Sequence, residues 1–520
     1  MKKYFTALNL IFTLEVIVII LASLGLIPRE AVLILTGVMV FYMIFSPVED
    51  SLWLVAASIP LFVALPLIDS FDSMANWRIL IAVLFLCLFF KKDLLANFIN
   101  FIKDPAGRIR LKENFKRYSI EYLGLALLAI ATISIAVADY KFLAIKKLLF
   151  LINIFLLFMI ARKLTREKQT IIRLWQATAI GGIVVMAVAL LQFITVLFAP
   201  LYSFWQFWAD KVIEVFYGAN LAHLLSYSNT WFAYYASNPP TLRLFSVFPD
   251  AHSFAMSCIL IIPIFLGLAL YFKDERRKRI FYWLMAILAA FGIVMSGSRG
   301  AWLSAIPVVV VALAIFGKKI ETYLTKKVLL NLAIFALFFL ASVGYPPLLY
   351  TFQSWQGGNA STTFSFFERA KSISDLDELS NKSRLEIWGA SLKSITAHPF
   401  LGVGLGNYFN VLGESTSAAK KGASAHNLYL DFASEIGIFG ALVLILIFAN
   451  ILYTAWLVFR RGEQPHFKIY GLLVGLYFLW VAAYSFFDVV LLNDKVLLLV
   501  MLVLATLYNL RNMIFKPEKL

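Results

Sequence analysis

Residues 434–459, SEIGIFGALVLILIFANILYTAWLVF, form a continuous apolar stretch whose only charged side chain is Glu435. A helix needs about 20 such residues to cross the hydrocarbon core of a bilayer. Stretches of the same kind lie at 5–26, 31–47, 51–69, 77–90, 120–138, 142–160, 174–198, 252–272, 280–297, 301–317, 328–346, 468–490 and 496–514. Several are shorter than about 20 residues, so we predict an all-α polytopic membrane protein with about 12–14 transmembrane helices.

The composition supports this class. Of 520 residues, 61% are hydrophobic and 15% are charged, and the mean hydropathy is +0.83. No soluble core of this length needs so much apolar surface, so lipid is the solvent for most of the chain. Cys87 and Cys258 both lie inside apolar stretches, which indicates neither a disulfide framework nor a thiolate metal site.

Lys and Arg residues predict the orientation, because the cytoplasmic loops of membrane proteins retain them. They concentrate at Lys2, Lys3, Lys91–Arg117, Arg162–Arg173, Lys273–Arg279, Lys318–Lys327 and Arg460–Lys468. If every apolar stretch spans, these segments share one side, both termini are cytoplasmic and the first stretch is a retained helix. Lys141, Lys146 and Lys147 do not fit this pattern. The net charge of +16 is therefore mainly a topology signal, and we expect no nucleic-acid partner.

The same pattern divides the chain into five segments. We predict N-terminal transmembrane helices at 1–198, an aromatic-rich extracytoplasmic loop at 199–251, central transmembrane helices at 252–346, a large extracytoplasmic loop with short helices at 347–433 and C-terminal transmembrane helices at 434–520. The large loop contains a polar stretch, 357–382, that is typical of a mobile segment. Its Asp375 and Asp377 resemble an acidic metal-binding pair, but we expect them to be solvated.

Aromatic side chains crowd the 199–251 loop. Trp and Tyr favour the headgroup zone, so an interfacial belt is the first interpretation and a sugar-stacking surface is the alternative. The residues are Tyr202, Phe204, Trp205, Phe207, Trp208, Tyr217, Tyr227, Trp231, Phe232, Tyr234 and Tyr235.

Two arginines near the predicted outer membrane edge are candidates for binding an anion. Arg299 lies in SGSRGAW (296–302), where small neighbours leave the guanidinium accessible. Arg243 precedes the loop that re-enters the membrane at Asp250. Two guanidinium groups match the oxygens of a diphosphate. The structural alternatives are a snorkelling or helix-capping Arg299 and an Arg243 paired with Asp250.

His426 is the candidate base, because Asn427, Tyr429 and Asp431 follow it at the start of an apolar helix. A helix-capping or interfacial histidine is the structural alternative. The glycine-rich run HPFLGVGLG (398–406) lacks the features of a nucleotide-binding fingerprint, so we expect a tight turn that carries the loop over the site.

Taken together, the ordered motifs resemble the O-antigen ligase and polymerase superfamily. They are SGSRGAW (296–302), Ser383-Arg384 with Trp388, HPFLGVG (398–404) and His426-Asn427 with Gly437. Members are many-helix glycosyltransferases of the cytoplasmic membrane. They move a glycan from an undecaprenyl-diphosphate carrier to an acceptor hydroxyl outside the membrane, with inversion and without a metal. The motifs cover about residues 240–460.

The resemblance implies catalytic roles for His426, Arg299 and Arg243, and substrate-binding roles for Arg384, His398, Asn427 and Trp302. The arginines would hold the diphosphate, and His426 would activate the acceptor. Asp250 departs from the family pattern, in which an asparagine is expected after the proline. The resemblance implies no cofactor and no metal, and a glycan, lipid or protein as acceptor beside the membrane lipids.

Several functions fit this sequence. A ligase-type transferase at the outer face of the cytoplasmic membrane is the leading interpretation, and a polymerase or an oligosaccharyltransferase of the same superfamily differs only in the acceptor. A transporter or flippase for lipid-linked sugars is the rival from another class, but such proteins usually carry inverted repeats and broken midplane helices, which we do not find here. A structural scaffold is the remaining alternative.

Overall fold

A computed structural model describes residues 6–67, 74–92, 117–226, 230–235, 238–323, 379–413 and 424–515. The chain is an all-α polytopic membrane protein, as predicted. Within these ranges, eight helices are long and apolar enough to cross a membrane, and three shorter apolar helices accompany them. The predicted span 328–346 and the acidic pair Asp375 and Asp377 lie outside the described residues.

The helices are numbered in chain order. They are α1 Ala7–Ser23, α2 Ala31–Phe45, α3 Val48–Ser58, α4 Trp77–Lys91, α5 Ser119–Ser134, α6 Lys141–Leu164, α7 Lys168–Phe198, α8 Leu201–Phe207, α9 Ile213–Tyr217, α10 Ala219–Ser226, α11 Ala251–Tyr271, α12 Arg276–Met295, α13 Arg299–Leu303, α14 Ala305–Tyr323, α15 Leu379–Ala397, α16 Phe409–Leu412, α17 Leu428–Arg461, α18 Pro465–Tyr484 and α19 Asp494–Ile514. The eight long apolar helices are α5, α6, α7, α11, α12, α17, α18 and α19.

Two short antiparallel hairpins are the strands of the described chain. Strand β1 (Ala64–Leu65) pairs with β2 (Met74–Ala75), and β3 (Phe232–Tyr235) pairs with β4 (Asn238–Leu242).

The predicted span 51–69 is not one helix. Helix α3 ends at Ser58, and the 3₁₀ turn Ile59–Leu61 and β1 follow it. Pro60 in this turn has no backbone N–H, so it cannot donate the hydrogen bond that would extend α3. The segment is apolar because it is buried in protein, since Phe62 and Val63 have no exposed surface.

The chain forms two compact units. The first comprises Met1–Leu84 and Lys168–Ser374, and the second comprises Phe85–Glu167 and Asp375–Leu520. These units are discontinuous in sequence, whereas the five predicted segments are consecutive. The side of the membrane on which each predicted segment lies stays a prediction.

Helix α11 is the central helix of the first unit. Of its most apolar 18-residue stretch, 89% is buried inside the protein, and α7 and α12 pack against this helix. A buried polar contact joins α7 to the segment before α11. The Gln192 side chain accepts hydrogen bonds from the Phe245 and Ser246 amides (3.3 and 2.8 Å) and donates one to the Ser246 carbonyl (3.1 Å). Such a bidentate contact in an apolar environment fixes the backbone that leads into α11.

A buried ion pair joins three helices at one end of the second unit. Arg162, near the end of α6, pairs with Glu121 of α5 (2.9 Å) and donates to Asn509 of α19. The Asn509 amide in turn donates to the Arg162 and Thr165 carbonyls (3.1 and 2.8 Å), the last acceptors of α6. The start of α5 and the ends of α6 and α19 therefore share one side of the unit.

Lys147 of α6 is one of the three lysines that do not fit the Lys and Arg pattern of membrane orientation, and the structure gives it a partner. Its ammonium group lies 2.6 Å from a Glu435 carboxylate oxygen of α17, and Glu435 is buried. The two predicted spans that do not fit the Lys and Arg pattern, 120–138 and 142–160, correspond to α5 and α6. Both helices are long and apolar enough to cross a membrane. Charges inside apolar helices persist where they are paired, and here the pair fixes α6 against α17.

Helix α17 is interrupted at Gly437, whose φ of 79° and ψ of 174° are not helical. The structure thus contains a broken apolar helix that the sequence analysis did not find. The loop after α15 supplies the missing backbone partners. The Ile438 amide donates to the Pro399 carbonyl (2.9 Å), and the Val403 amide donates to the Ser434 carbonyl (2.8 Å). Irregular backbone inside an apolar span is tolerated where protein satisfies its polar groups.

Glycine is required on both sides of this contact. A Cβ atom on Gly437 would lie 2.0 Å from the Phe400 carbonyl oxygen, and one on Gly402 would lie 2.3 Å from the Ser434 oxygen. Gly402 also has a positive φ of 63°. The tight turn predicted for 398–406 is therefore confirmed, and its physical role is to close the gap in α17.

Replacing Gly437 with Ala should destabilise the protein by about 3 kcal/mol or more, because both the backbone angles and the carbonyl contact exclude a Cβ atom. The measurement is the apparent melting temperature of the detergent-purified protein. Gly389→Ala is the matched control, since a Cβ on Gly389 of α15 meets nothing within 4 Å. Equal melting temperatures for the two variants would contradict this role of Gly437.

Candidate active site

In the first unit, the backbone around Arg243 is fixed from both sides. The Arg243 amide donates to the Trp231 carbonyl (2.9 Å), and the Leu244 amide donates to the Met295 carbonyl at the end of α12 (3.0 Å). The Gln192 contact follows at Phe245 and Ser246. Arg243 thus lies where the loop approaches the end of α12, whose last residue, Met295, immediately precedes the SGSR motif.

Polar contacts link the Arg243 side chain to Ser298, the residue immediately before Arg299. Its Nε donates to the Ser296 carbonyl (2.9 Å), and its Nη2 lies 3.3 Å from His252 Nε2. The other ring nitrogen, His252 Nδ1, lies 2.9 Å from Ser298 Oγ. Ser298 is the N-cap of α13, whose first residue is Arg299, and both arginines are half-buried.

These contacts assign the state of His252. A guanidinium group has donors only, so Nε2 of His252 must be the acceptor, which leaves the proton on Nδ1 to be donated to Ser298. The imidazole is therefore neutral. It holds the Arg243 guanidinium at one end and the cap of α13 at the other.

The Ser296–Ser298 part of the motif leaves space for the Arg243 side chain. Gly297 has a φ of 63°, and a Cβ there would lie 3.2 Å from Arg243 Cγ. The glycine gives the Arg243 side chain room to lie against the turn. Trp302, which lies on α13 with Arg299, is half-buried.

Asp250, the residue that departs from the family pattern, caps α11. Its two carboxylate oxygens accept from the Ser253 amide and hydroxyl, each at 2.7 Å. This N-cap role also stabilises the helix dipole and gives the carboxylate a structural function.

The interpretation of the 199–251 aromatics as an interfacial belt is wrong for the large residues beside Arg243. Trp208 and Trp231 are buried, Trp231 stacks on Phe245 at 4.6 Å, and its indole N–H donates to the Pro249 carbonyl (2.8 Å). Tyr217 is also buried and donates to the Val247 carbonyl (2.9 Å). These side chains pack the segment that carries Arg243, whereas Tyr202 is exposed.

In the second unit, His426 lies immediately before α17. Its backbone has a φ of 47°, in the left-handed region. Its Nδ1 is buried and lies 3.9 Å from an Asp488 carboxylate oxygen, which is too long for a hydrogen bond. The imidazole side chain is nevertheless 45% exposed. The exposed surface therefore belongs to the rest of the side chain, and the Nδ1 edge of the ring faces the carboxylate.

Neighbouring groups hold the His426 backbone in place. Asn427 is the N-cap of α17, and its side chain accepts from the Tyr429 and Leu430 amides (3.0 and 3.2 Å). The buried Asp431 accepts from the Ala425 amide (3.0 Å). Asn427 thus has a structural function, and its substrate-binding role stays a prediction.

Helix α15 approaches the same segment through Trp388, whose indole N–H donates to the Ala425 carbonyl (3.0 Å). Arg384 lies one turn earlier on α15, so it shares this face of the helix. Arg384 is half-buried. The structure therefore places Arg384 and His426 on the same side of the second unit.

His398 is exposed at the end of α15, immediately before the turn that closes the gap in α17. Just after this turn in sequence, the Tyr408 hydroxyl forms a hydrogen bond of 2.6 Å with the Ser391 hydroxyl. Burial, together with the nearby carboxylates of Asp431 and Glu435, raises the pKa of Tyr408 to about 12. The phenol is protonated at neutral pH and acts as a structural hydrogen-bonding group.

The predicted site residues fall into two sets. Arg243, Arg299 and Trp302 belong to the first unit, where His252 links the Arg243 side chain to Ser298, the neighbour of Arg299 in sequence. His426, Asn427, Arg384 and His398 belong to the second unit. In the described part of the chain, no group of three or more His, Cys, Asp or Glu residues is arranged to hold a metal ion.

Two residues of these sites were missed by sequence reasoning. The sequence pattern alone assigns no role to His252 or to Asp488. His252 has a local signal, because it follows the helix-capping Asp250. Asp488 lies far from His426 in sequence, and nothing in its local pattern indicates the contact.

Two comparisons with known proteins bear on these residues. Residues 284–445 match a family model described as O-Antigen ligase. A ComP-specific O-oligosaccharyltransferase from Acinetobacter baylyi is 30% identical over 207 residues, which are 38% of this chain. The alignment covers 34% of that relative, so the chain spans about a third of its length. The family match contains Arg299, Trp302, Arg384, His398, His426 and Asn427, whereas Arg243 lies outside it.

The arginine set predicts anion binding that depends on His252. His252→Leu removes the acceptor that orients the Arg243 guanidinium and should weaken the binding of inorganic pyrophosphate roughly tenfold, the value of one such hydrogen bond. The measurement is the pyrophosphate-dependent shift in melting temperature of the purified protein. His223→Leu, which removes an exposed histidine of the same unit, should bind as the native protein does. Unaltered binding by His252→Leu would contradict the positioning role.

Proposed function

We propose that this chain, whose residues 284–445 match the O-Antigen ligase family model, moves a glycan from undecaprenyl diphosphate to an acceptor hydroxyl. The reaction takes place at the outer face of the cytoplasmic membrane. The observation that carries the proposal is the half-exposed imidazole of His426, whose buried Nδ1 is directed at Asp488. A ring whose Nδ1 faces a carboxylate can present its other nitrogen, Nε2, to a substrate.

Donor binding is assigned to Arg243 and Arg299. Guanidinium groups bind phosphate oxygens in a bidentate manner and carry their charge at every relevant pH. The contacts of Arg243 to the Ser296 carbonyl and to His252 hold one guanidinium in a single orientation beside the turn that begins α13. A fixed cation stabilises developing charge without reorganising during the reaction, which favours the transition state over the bound donor.

Acceptor activation is assigned to His426. In the proposed step, the acceptor oxygen attacks the anomeric carbon, the bond from that carbon to the diphosphate oxygen breaks, and the diphosphate leaves with the electron pair. The acceptor proton passes to His426 Nε2, and Asp488 stabilises the imidazolium that forms. Attack from the face opposite the leaving group inverts the anomeric configuration. The diphosphate is already a good leaving group, so the proposed mechanism is metal-independent.

The remaining predicted residues act on the substrates in this proposal. Arg384, on the same side of the second unit as His426, contributes a cation to substrate binding, and His398 is exposed at the turn after α15. Trp302 contributes an aromatic face beside Arg299. Asn427 acts through the N-cap that fixes the position of His426.

The acceptor distinguishes the members of this superfamily. The similar protein from Acinetobacter baylyi is a ComP-specific O-oligosaccharyltransferase, and this likeness favours a protein hydroxyl as the second candidate acceptor. A ligase would instead use a lipid-linked core glycan, and a polymerase would use another carrier-linked glycan. All three share the donor chemistry assigned to the arginines.

The direct test is transfer of a labelled oligosaccharide from undecaprenyl diphosphate in membranes containing the full chain. His426→Asn should lower the rate about 100-fold or more, the usual contribution of a general base. Asparagine tolerates the left-handed backbone that His426 adopts, so this variant tests the imidazole with little strain. Arg299→Ala should lower the rate by a similar factor, and Arg299→Lys should recover only part of it because the planar fork is lost.

The controls separate chemistry from folding. Lys393→Ala, an exposed change on α15, should transfer glycan at the native rate, and EDTA should leave every rate unaltered. Native activity in His426→Asn would exclude this residue as the base. Activity lost with EDTA and restored by a divalent ion would contradict the metal-independent mechanism. Label that crosses the membrane while still on the carrier would favour the transporter alternative.

Asp488 should act as a positioning residue for His426. Asp488→Asn removes the charge that lies 3.9 Å from Nδ1 and should lower kcat roughly tenfold, while the KM for the donor stays unaltered. Glu386→Gln removes an exposed carboxylate of the same unit and serves as the control. A rise in donor KM with native kcat would place Asp488 in donor binding and contradict the assignment to His426.

A further inference from the structure

A basic cavity lies at the opposite end of the second unit from His426. Its volume is about 180 Å³, and the start of α5 and the ends of α6 and α19 line it. Four of its lining residues are cationic, namely Arg117, Arg162, Lys163 and Arg166. Among the described residues that line this cavity, Glu121 is the one carboxylate.

The charges of the lining residues do not cancel. Glu121 is paired with the buried Arg162, which also donates to Asn509, so this pair belongs to the core of the unit. Arg117 and Arg166 are exposed and Lys163 is half-buried. Among the described lining residues, three cations are therefore gathered at one opening with a single carboxylate that is already paired, which favours an anionic ligand there.

The surroundings of the cavity are those of a membrane boundary. Met159 and Met513 also line it, and Arg117 lies over the Tyr118 ring with its guanidinium carbon 5.6 Å from the ring centroid. The Lys and Arg pattern assigns this side of the helices to the cytoplasm. Anionic phospholipids are concentrated in the cytoplasmic leaflet, where they attract basic groups at the membrane surface.

A second, apolar cavity lies between the same three helices and α17. Its volume is about 140 Å³, and its lining includes Ile120, Phe158 and Leu504. On α5 and α6, residues adjacent in sequence line the two cavities, since Glu121 follows Ile120 and Met159 follows Phe158. A ligand with a phosphate group and an acyl chain matches both linings, whereas a soluble phosphate matches only the basic one.

We propose that the basic cavity binds the phosphate group of an anionic phospholipid, with an acyl chain along the apolar cavity. Arg117, Lys163 and Arg166 provide the charge, and the Arg162–Glu121 pair provides the rigid floor. The basic cavity is separate from the histidine and arginine sets assigned to glycan transfer, whereas the apolar cavity extends to Leu428 and Phe432, just after His426. Its occupant would fix the ends of α5, α6 and α19 at the membrane surface.

The test compares lipid binding by the full-length protein after delipidation in detergent. Native mass spectrometry measures retention of phosphatidylglycerol and of phosphatidylcholine with the same acyl chains. The variant Arg117→Gln/Lys163→Gln/Arg166→Gln should bind phosphatidylglycerol about a hundredfold more weakly, at roughly fivefold per cation near an anionic lipid surface. Arg162 is left unchanged because it is part of the core.

The control variant is Lys273→Gln/Arg276→Gln/Arg277→Gln, which removes the same charge from exposed positions at the start of α12. It should retain phosphatidylglycerol as the native protein does. If the triple variant of the cavity does not fold, Arg166→Gln alone, at an exposed position, should still weaken binding about fivefold.

Three outcomes would overturn the proposal. The first is equal retention of phosphatidylglycerol and phosphatidylcholine by the native protein. The second is native affinity in the cavity variants. The third is binding of millimolar inorganic phosphate with displacement of the lipid, which would identify a soluble phosphate as the occupant.

Discussion

The backbone contact between the gap in α17 and the turn after α15 is the constraint on which the second unit depends. Two hydrogen bonds, Ile438 to Pro399 and Val403 to Ser434, replace those that Gly437 removes from the helix. The first part of α17 is thereby held against the turn as a short helix of its own. His426 and the Asn427 cap lie at the beginning of this piece, so the backbone of the proposed base is fixed by a contact eleven residues away.

Buried ion pairs fix the same unit at two levels. The Arg162–Glu121 pair with Asn509 connects the ends of α5, α6 and α19, and Lys147–Glu435 connects α6 to α17. Apolar packing between helices tolerates sliding by a turn, because one aliphatic side chain replaces another. An ion pair in an apolar environment does not, since a displaced charge would be left without a partner. These pairs therefore fix the register of α5, α6, α17 and α19.

The sequence predicts the features that depend on local pattern. Apolar length predicts the helices, and the glycines of 398–406 predict the turn, because both signals lie in neighbouring residues. The pairings could not be predicted. Lys147 looks like an exception until Glu435 is placed beside it, and Asp488 has no signal until α17 and the end of α18 meet. The large aromatic residues 208, 217 and 231 were misassigned, because a composition suited to the headgroup zone is equally suited to a packed core.

The exposure of the two site-residue sets bears on what each accommodates. A carrier diphosphate is small and highly charged, and half-buried arginines with fixed partners suit it because a partly desolvated cation binds phosphate more strongly. An acceptor hydroxyl belongs to a large glycan, lipid or protein that cannot enter a closed cavity, so its base must be reachable from outside. The His426 side chain, 45% exposed, meets that requirement, while Asp488, 14% exposed, is shielded enough for its charge to act on the imidazole. On the proposed function, donor recognition thus rests on rigid partly buried cations, and the open surroundings of His426 are where acceptor specificity would be determined.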